Sequence, residues 1–511
     1  MNPFSLTWQP DLGLWGITPM IAGSLQSACL AWLIAMPWAV GLSAAVWVWP
    51  TWGRLVTLGL RGWVGIPSLL YGFFSVCIWV ELLRTWGTGS GYSWLVTSLT
   101  LALLILPPLS LCLLEGWRQL SASMWRTASL LGYSPLERTR MLLPALLPSV
   151  RQGGALALGR ALGDCMIALF VSGNIPQLTV NPLEGIRTLP AHMVLTANME
   201  ATSRGFASIF YGAGVLALLS MGLPKVCMMA MGGKRGCFSI PSRWIWSLFV
   251  PGSLGLFLIA CLGMGGYIGY RVLQGIFVAL SSPLPFLPIW LTPLLTSLWL
   301  GIWVVGIVIA GGIGLTMYMS TLGSRSIAIW ESGLQLLGGL PSILIGFLGV
   351  MVLWVWHGYF GESARGGMGL AVVCLSLLTL PTMVHVLRAG LAQLPLEWKH
   401  TCRLLGYSPR WMWMKILLPA LRPSLITGSL LVFLRAFEDT AVCLLTGAVA
   451  FAAFPTQWGE AFSPLSFQLF FLADQYRNEG ELAQLYLVSG IWIAMAWGIL
   501  ALVSRFQRRF L

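Results

Sequence analysis

Charge is scarce in this sequence. Asp, Glu, Lys and Arg make up 9% of 511 residues, against about 25% in a soluble domain. So few charges cannot cover the surface of a water-soluble globule of this length. Disorder is excluded too, because disordered chains have low hydropathy and the mean hydropathy here is +0.82. The ten cysteines form no CxxC pair and no cluster with the four histidines (His192, His357, His385, His400). Neither a metal site nor a redox pair is indicated. No G-x-x-x-x-G-K-[ST] string occurs, and GGKRG at 232–236 lacks its spacing, so no nucleotide site is read in this chain. The start, MNPFSLTWQPDLGLWG, has no basic region before its first apolar run and does not read as a cleaved signal peptide.

What is present is apolar: 57% of the residues, in runs exceeding the roughly 20 residues that cross a bilayer as a helix. Hydropathy predicts eleven transmembrane helices, near 20–48, 56–80, 93–114, 145–171, 206–224, 246–271, 290–319, 327–356, 368–387, 420–447 and 484–504. In such a chain the net charge of +13 reads as positive-inside bias rather than nucleic-acid binding. With the N-terminus outside, 21 of the 29 basic residues fall inside, 6 outside and 2 (Arg160, Arg435) within helices. That predicts an all-α, multi-pass membrane protein with the N-terminus outside and the C-terminus cytoplasmic. The 27 tryptophans exceed what interfacial belts require.

The chain repeats itself. GIPSLLYGFF at 65–74 recurs as GLPSILIGFL at 339–348, LLGYSP at 130–135 recurs at 404–409, LLPAL at 142–146 recurs at 417–421, and GRALGD at 159–164 is answered by LRAFED at 434–439. The offset is 274 up to the GYSP element and 275 after it. Four signals in one order at nearly constant offset make this two homologous halves. The expected division is 1–228 (first half, five helices), 229–275 (linker and a reversing helix) and 276–511 (second half, five helices). The additional helix lets both halves run in the same orientation; without it they would be inverted repeats.

Before the fourth span of each half lies a basic segment that reads as short helix, glycine break, Ser-Pro turn, second amphipathic piece, then a proline opening the next span. Gly132, Tyr133, Ser134, Pro135 and Pro144 mark the first copy; Gly406, Tyr407, Ser408, Pro409 and Pro419 mark the second. Glycine tolerates positive φ at a helix end, and proline loses no bond in a first turn. Arg160 and Asp164 stand i,i+4, a spacing that places them on one helix face and lets them pair. Arg435 and Asp439 repeat it, with Glu438 at i+3. Ionisable groups at membrane depth face a wet cavity or a bundle interior. They fit an anion path, with guanidinium forks for oxyanion oxygens, or a neutral pair that locks helices.

The basic loops resemble the "EAA" loop of ABC-importer permeases. Gly406, Ile416, Leu418 and Pro419 keep that family's spacing, while Gly132, Met141, Leu143 and Pro144 fit it one residue short. The opening EAA positions differ, reading Arg126-Thr127-Ala128 and His400-Thr401-Cys402. The G-[IL]-P-S stretches, and GRALGD followed by SGN (172–174), PQL and RTL (187–189), resemble the phosphate-specific permeases. LRAFED resembles the matching element of their second subunit type. Asp164 and Asp439 stand where that subfamily has Glu, and Glu438 where it has Gly. The resemblance implies a type I ABC-importer permease fold, a fusion of two unlike permease subunits in the inner membrane. It also implies ATPase subunits docked on the cytoplasmic loops, an extracytoplasmic binding protein, and no cofactor in this chain because ATP is hydrolysed on the partner. Inorganic phosphate is the expected substrate. Another oxyanion (molybdate, tungstate, sulfate), a gradient-driven secondary transporter and a sensory or scaffolding protein remain alternatives.

Overall fold

Backbone polar groups inside a bilayer must be satisfied within the chain, which selects helices. The computed structural model describes residues 5–510 apart from 11–13, 88, 200–202, 231–241, 282–285, 361–365, 396, 399–403 and 476–477. It is built of helices; among the described residues, strand pairing amounts to a ribbon of Trp8–Gln9 with Leu14–Trp15 and two isolated bridges. Among the described residues, eight helices are long and apolar enough to cross a membrane: Thr18–Val48, Ser68–Thr85, Trp94–Gln119, Ala207–Met229, Arg243–Val278, Ile289–Met319, Met368–Gln393 and Glu479–Phe506. Two further pairs pass only together and bend at a break, Ser324–Gly339 with Ser342–Trp356 by 97° and Arg410–Ala420 with Arg422–Glu438 by 72°. Counting each as one span gives ten.

Four of the eleven expected spans are interrupted. The stretch 56–80 is two helices: Pro50–Val64 stops at Gly65, and Ser68–Ser75 starts behind Pro67, whose ψ is 144°. Pro341 breaks 327–356 at the equivalent place. The stretch 145–171 opens at Asp164 (φ −78°, ψ 120°) between Leu147–Gly163 and Met166–Val171. The stretch 420–447 opens at Asp439 (φ −79°, ψ 104°) between Arg422–Glu438 and Thr440–Thr446. A hydropathy window of about 19 residues averages over breaks this short.

By compactness the chain divides into Met1–Ser282 with Tyr476–Gly490, and Pro283–Gln475 with Ile491–Leu511; the division at 228 and 275 follows the repeat instead. In the first unit, helix Thr18–Val48 turns Ala28, Ala31, Ala35 and Ala39 into the core, and small residues let membrane helices approach closely. Trp94–Gln119 meets Leu147–Gly163 so tightly that a Cβ on Gly116 would strike Ser149, and one on Gly153 would lie 3.0 Å from Leu109. The second unit repeats this crossing, with Gly390 against Ser424 and Gly428 against Met383. Its core joins Leu300, Val304 and Val308 to Leu375, Leu378 and Val432. Buried hydroxyls return to their own helix, as in Thr97 to Ser93 O (2.9 Å) and Thr379 to Leu375 O (2.8 Å).

Candidate functional site

The first elbow starts with helix Ala122–Leu130 and turns at Gly132, whose φ of +78° is a left-handed conformation that a Cβ would strain. Ser134 then caps helix Pro135–Leu142. Its hydroxyl accepts the Glu137 N–H (3.4 Å), while the Glu137 carboxylate accepts the Ser134 N–H (2.9 Å) and hydroxyl (2.8 Å). This capping box favours the charged form, so the Ser134 backbone N–H and then its hydroxyl hold Glu137 below the usual carboxylate range. Arg243 also reaches Glu137 at 3.0 Å. The Trp246 indole N–H donates to Leu136 O and Thr139 Oγ1, both at 3.2 Å, which pins helix Arg243–Ser281 to this elbow. Pro144 lies in the tight turn Leu143–Leu146 that leads into Leu147–Gly163.

The second elbow turns the same way at Gly406 (φ +74°), and Pro409 opens the short helix Pro409–Met412. Ser408 accepts the Trp411 N–H at 3.3 Å, but Trp411 occupies the place of Glu137 and no carboxylate completes a box. Tyr407 stacks on Trp411 with centroids 4.0 Å apart. Anchorage comes from Trp413, buried with Leu417 and Leu421, whose indole donates to Ser320 at 3.0 Å. Pro419 sits in the short piece Leu418–Ala420. His400-Thr401-Cys402 lie outside the described residues. Both elbows expose a leucine pair, Leu130 (88%) with Leu131 and Leu404 (88%) with Leu405.

From each elbow the chain enters a helix that carries the expected arginine and breaks at the expected aspartate. The structure corrects the idea that Arg160 and Asp164 pair across one helix face. The helix ends at Gly163, Asp164 is extended, and its Oδ1 accepts the Ile167 N–H at 2.9 Å, at the start of Met166–Val171. Arg160 is exposed, and no ion pair among the described residues involves it. Asp439 behaves likewise: Oδ1 accepts the Val442 N–H at 2.9 Å, with the Ser342 hydroxyl and Arg435 beside it. Arg435 and Glu438 are half-buried near the end of Arg422–Glu438. A carboxylate at a helix start also meets the positive end of the helix dipole.

The structure joins motifs that the sequence left separate. The GIPS and GLPS elements each start a helix that packs on the short helix after the aspartate, and the motif glycine sets the approach. A Cβ on Gly72 would lie 2.7 Å from the Phe170 ring, and one on Gly346 would lie 3.2 Å from Val442 Cα. SGN and RTL also meet. Ile186 N–H bonds to Ser172 O (2.8 Å), and Arg187 Nε donates to Asn174 O (2.8 Å). Ser24 accepts the Leu189 N–H and Ser297 the Leu465 N–H, both at 2.7 Å, a matched pair of anchors in the two halves. Of the residues that sequence reasoning missed, Glu137 was signalled by its S-x-x-E spacing from Ser134; the others have no local signature.

Residues 312–509 match the family model described as binding-protein-dependent transport system inner membrane component. Over those residues the chain is similar to this family. It is 30% identical over 209 residues to the probable ABC transporter permease protein YqgH of Bacillus subtilis, covering 39% of this chain and 66% of that protein. It is 27% identical over 146 residues to the phosphate transport system permease protein PstA 2 of Mycobacterium bovis, covering 28% of this chain and 47% of the relative. With the phosphate transport system permease protein PstC of Xylella fastidiosa the identity is 27% over 259 residues, 46% of this chain and 80% of the relative. The matches thus span less than two thirds of the first two relatives' lengths. No solved structure matches the chain. The helical, multi-pass membrane architecture and the resemblance to phosphate-type ABC permeases agree with these relatives.

Proposed function

We propose that this chain is the membrane-spanning part of an ATP-driven importer for inorganic phosphate. On this reading its two halves do the work of two permease subunits. The observation that carries the proposal is the duplicated constellation: an elbow turning on a positive-φ glycine, followed by a helix with an arginine near its end and an aspartate-capped break. Relatives named for phosphate transport, of both the PstA and PstC kinds, support phosphate over other oxyanions. The family name, which specifies dependence on a binding protein, supports an extracytoplasmic delivery partner.

The elbows would face the cytoplasm and receive a separate ATPase, and the N-terminus would lie outside. Arg160 and Arg435 would hold the anion transiently through paired guanidinium donors. Asp164, Glu438 and Asp439 would keep the path from binding it too tightly to release. Because Asp164 caps a helix and does not pair with Arg160, that guanidinium is left for substrate. ATP-driven movement of the ATPase would enter the chain at Gly132 and Gly406.

Uptake of labelled phosphate into vesicles holding the chain with its ATPase and binding protein tests this. Arg160→Ala or Arg435→Ala is expected to lower uptake on the order of tenfold to a hundredfold, from about 1.5–3 kcal/mol for a hydrogen bond to a charged group. Unchanged uptake would reject the arginines' role. Strong competition by molybdate, tungstate or sulfate would move the assignment to another oxyanion, and uptake without ATP would reject the importer.

A further inference from the structure

Among the helices outside the proposed path are two at equivalent places, one in each half. Pro50–Val64 follows the long helix Thr18–Val48 and precedes Ser68–Thr85; Ser324–Gly339 follows Phe286–Met319 and precedes Ser342–Phe360. Pro50–Val64 sits between two helices that each qualify as a span. Ser324–Gly339 precedes Ser342–Phe360, whose 19 residues give about 28 Å of helix, close to a hydrocarbon core of about 30 Å, and the 97° bend keeps Ser324–Gly339 off that line. Pro50–Val64 packs its Val56 and Leu60 with Leu42, Leu114 and Phe257 of three other helices.

Both helices carry three faces instead of two. At about 100° per residue, the first buries Val56 and Leu60. Arg54 and Arg61 follow about 130° further round, and the exposed Trp52, Leu55 and Leu58 about 240° round. The second buries Leu334 beside the half-buried Ile327. Arg325, Ser332 and Gln335 follow at about 140°, and the exposed Ile329, Trp330 and Leu336 at about 240°. The faces thus come in the same order and rotational sense in both halves. Residues 50–64 contain no acid, and Glu331, the acid of the second helix, is paired to Arg388 at 2.6 Å.

We propose that Pro50–Val64 and Ser324–Gly339 lie in the plane of the membrane on its elbow-bearing side, and that their partner is an anionic phospholipid leaflet. One face packs on the protein, one enters the acyl region, and the arginine face meets headgroup phosphates. An ordinary two-faced surface helix would expose polar residues opposite its buried side. Here exposed leucine, isoleucine and tryptophan occupy a separate sector flanked by positive charge. The inference rests on reading the chain as membrane-spanning and is independent of its substrate.

The test uses the full chain in nanodiscs of phosphatidylglycerol and phosphatidylcholine, with a photoreactive benzophenone amino acid replacing Leu55, Ile329 or, on the polar face, Gln335. Illumination is expected to attach lipid at 55 and 329 and far less at 335, read by mass spectrometry. Adducts to a co-reconstituted ATPase in place of lipid, or equal lipid labelling at 335, would overturn the placement. Independently, the exposed double substitution Arg54→Gln with Arg61→Gln should cut the preference of retained lipid for phosphatidylglycerol by about fivefold per arginine. An unchanged preference would overturn the headgroup contact. Because neither readout measures transport, failure here is separable from failure of the phosphate assignment.

Discussion

Asp164 and Asp439 combine a charge with a helix cap, and substitution separates the two. Asp439→Asn keeps an oxygen for the Val442 N–H, and Asn caps about as well as Asp, so stability should change by no more than a few tenths of a kcal/mol. Asp439→Ala loses the cap and should cost about 1–2 kcal/mol. Denaturant titration in detergent compares them; equal losses would mean that the charge, not the cap, holds the break. The close approaches at the motif glycines are a second residue-scale device. Gly72→Ala places a methyl against Phe170 and is expected to cost about 1–3 kcal/mol by overpacking. The same substitution at Gly222, where nothing lies within 4 Å, should be far milder. The sequence displayed the arginines, aspartates and glycines at their repeat positions. It could not display the break, because the i,i+4 argument assumes that the helix continues through residue 164, and the aspartate is the residue that ends it.

The two elbows share a turn but are fastened differently, and this difference is visible to pH. Glu137 is held below the ordinary carboxylate range by the Ser134 backbone and hydroxyl. A lowered native pKa means that the stabilisation is complete above the unfolded value of about 4.3 and fades as pH falls through the native value. Protection of amides 135–142 from hydrogen exchange, corrected for intrinsic rate, should therefore fall below about pH 4. The second elbow, with Trp411 at that place and Trp413 tied to Ser320, should lack this transition. A transition of equal size in both elbows would assign it to something other than the capping box. At this scale the elbows were legible because Gly, Ser-Pro and Leu-Pro punctuate them. The in-plane helices were not, because Pro50–Val64 and Ser324–Gly339 are apolar enough to be merged by hydropathy into the spans that follow. Only the prolines at 67 and 341 marked the joints.

For the whole chain, the repeat is read from sequence, and the structure adds equivalent contacts, each within its own half, that no motif announced: Ser24 on Leu189 and Ser297 on Leu465, Gly116 on Ser149 and Gly390 on Ser424, Gly153 on Leu109 and Gly428 on Met383. What hydropathy could not give is the number of crossings, since Leu147–Gly163 and Met166–Val171 are separately too short to span. Together their 17 and 6 residues reach roughly 35 Å at 1.5 Å per residue, enough for a hydrocarbon core of about 30 Å. If that broken pair crosses, the chain passes the bilayer six times between the elbows: there, then at Ser203–Ala230, Arg243–Ser281, Phe286–Met319, Ser342–Phe360 and Met368–Gln393. An even number returns Tyr407 to the side of Tyr133; if the pair folds back instead, the number is odd and they part. Membrane-impermeant maleimide added to sealed, oriented vesicles decides this. Tyr133→Cys and Tyr407→Cys should both gain label over the parent protein from the same side. Labelling from opposite sides would make the aspartate break a re-entrant turn and leave one ATPase-facing elbow where two are proposed.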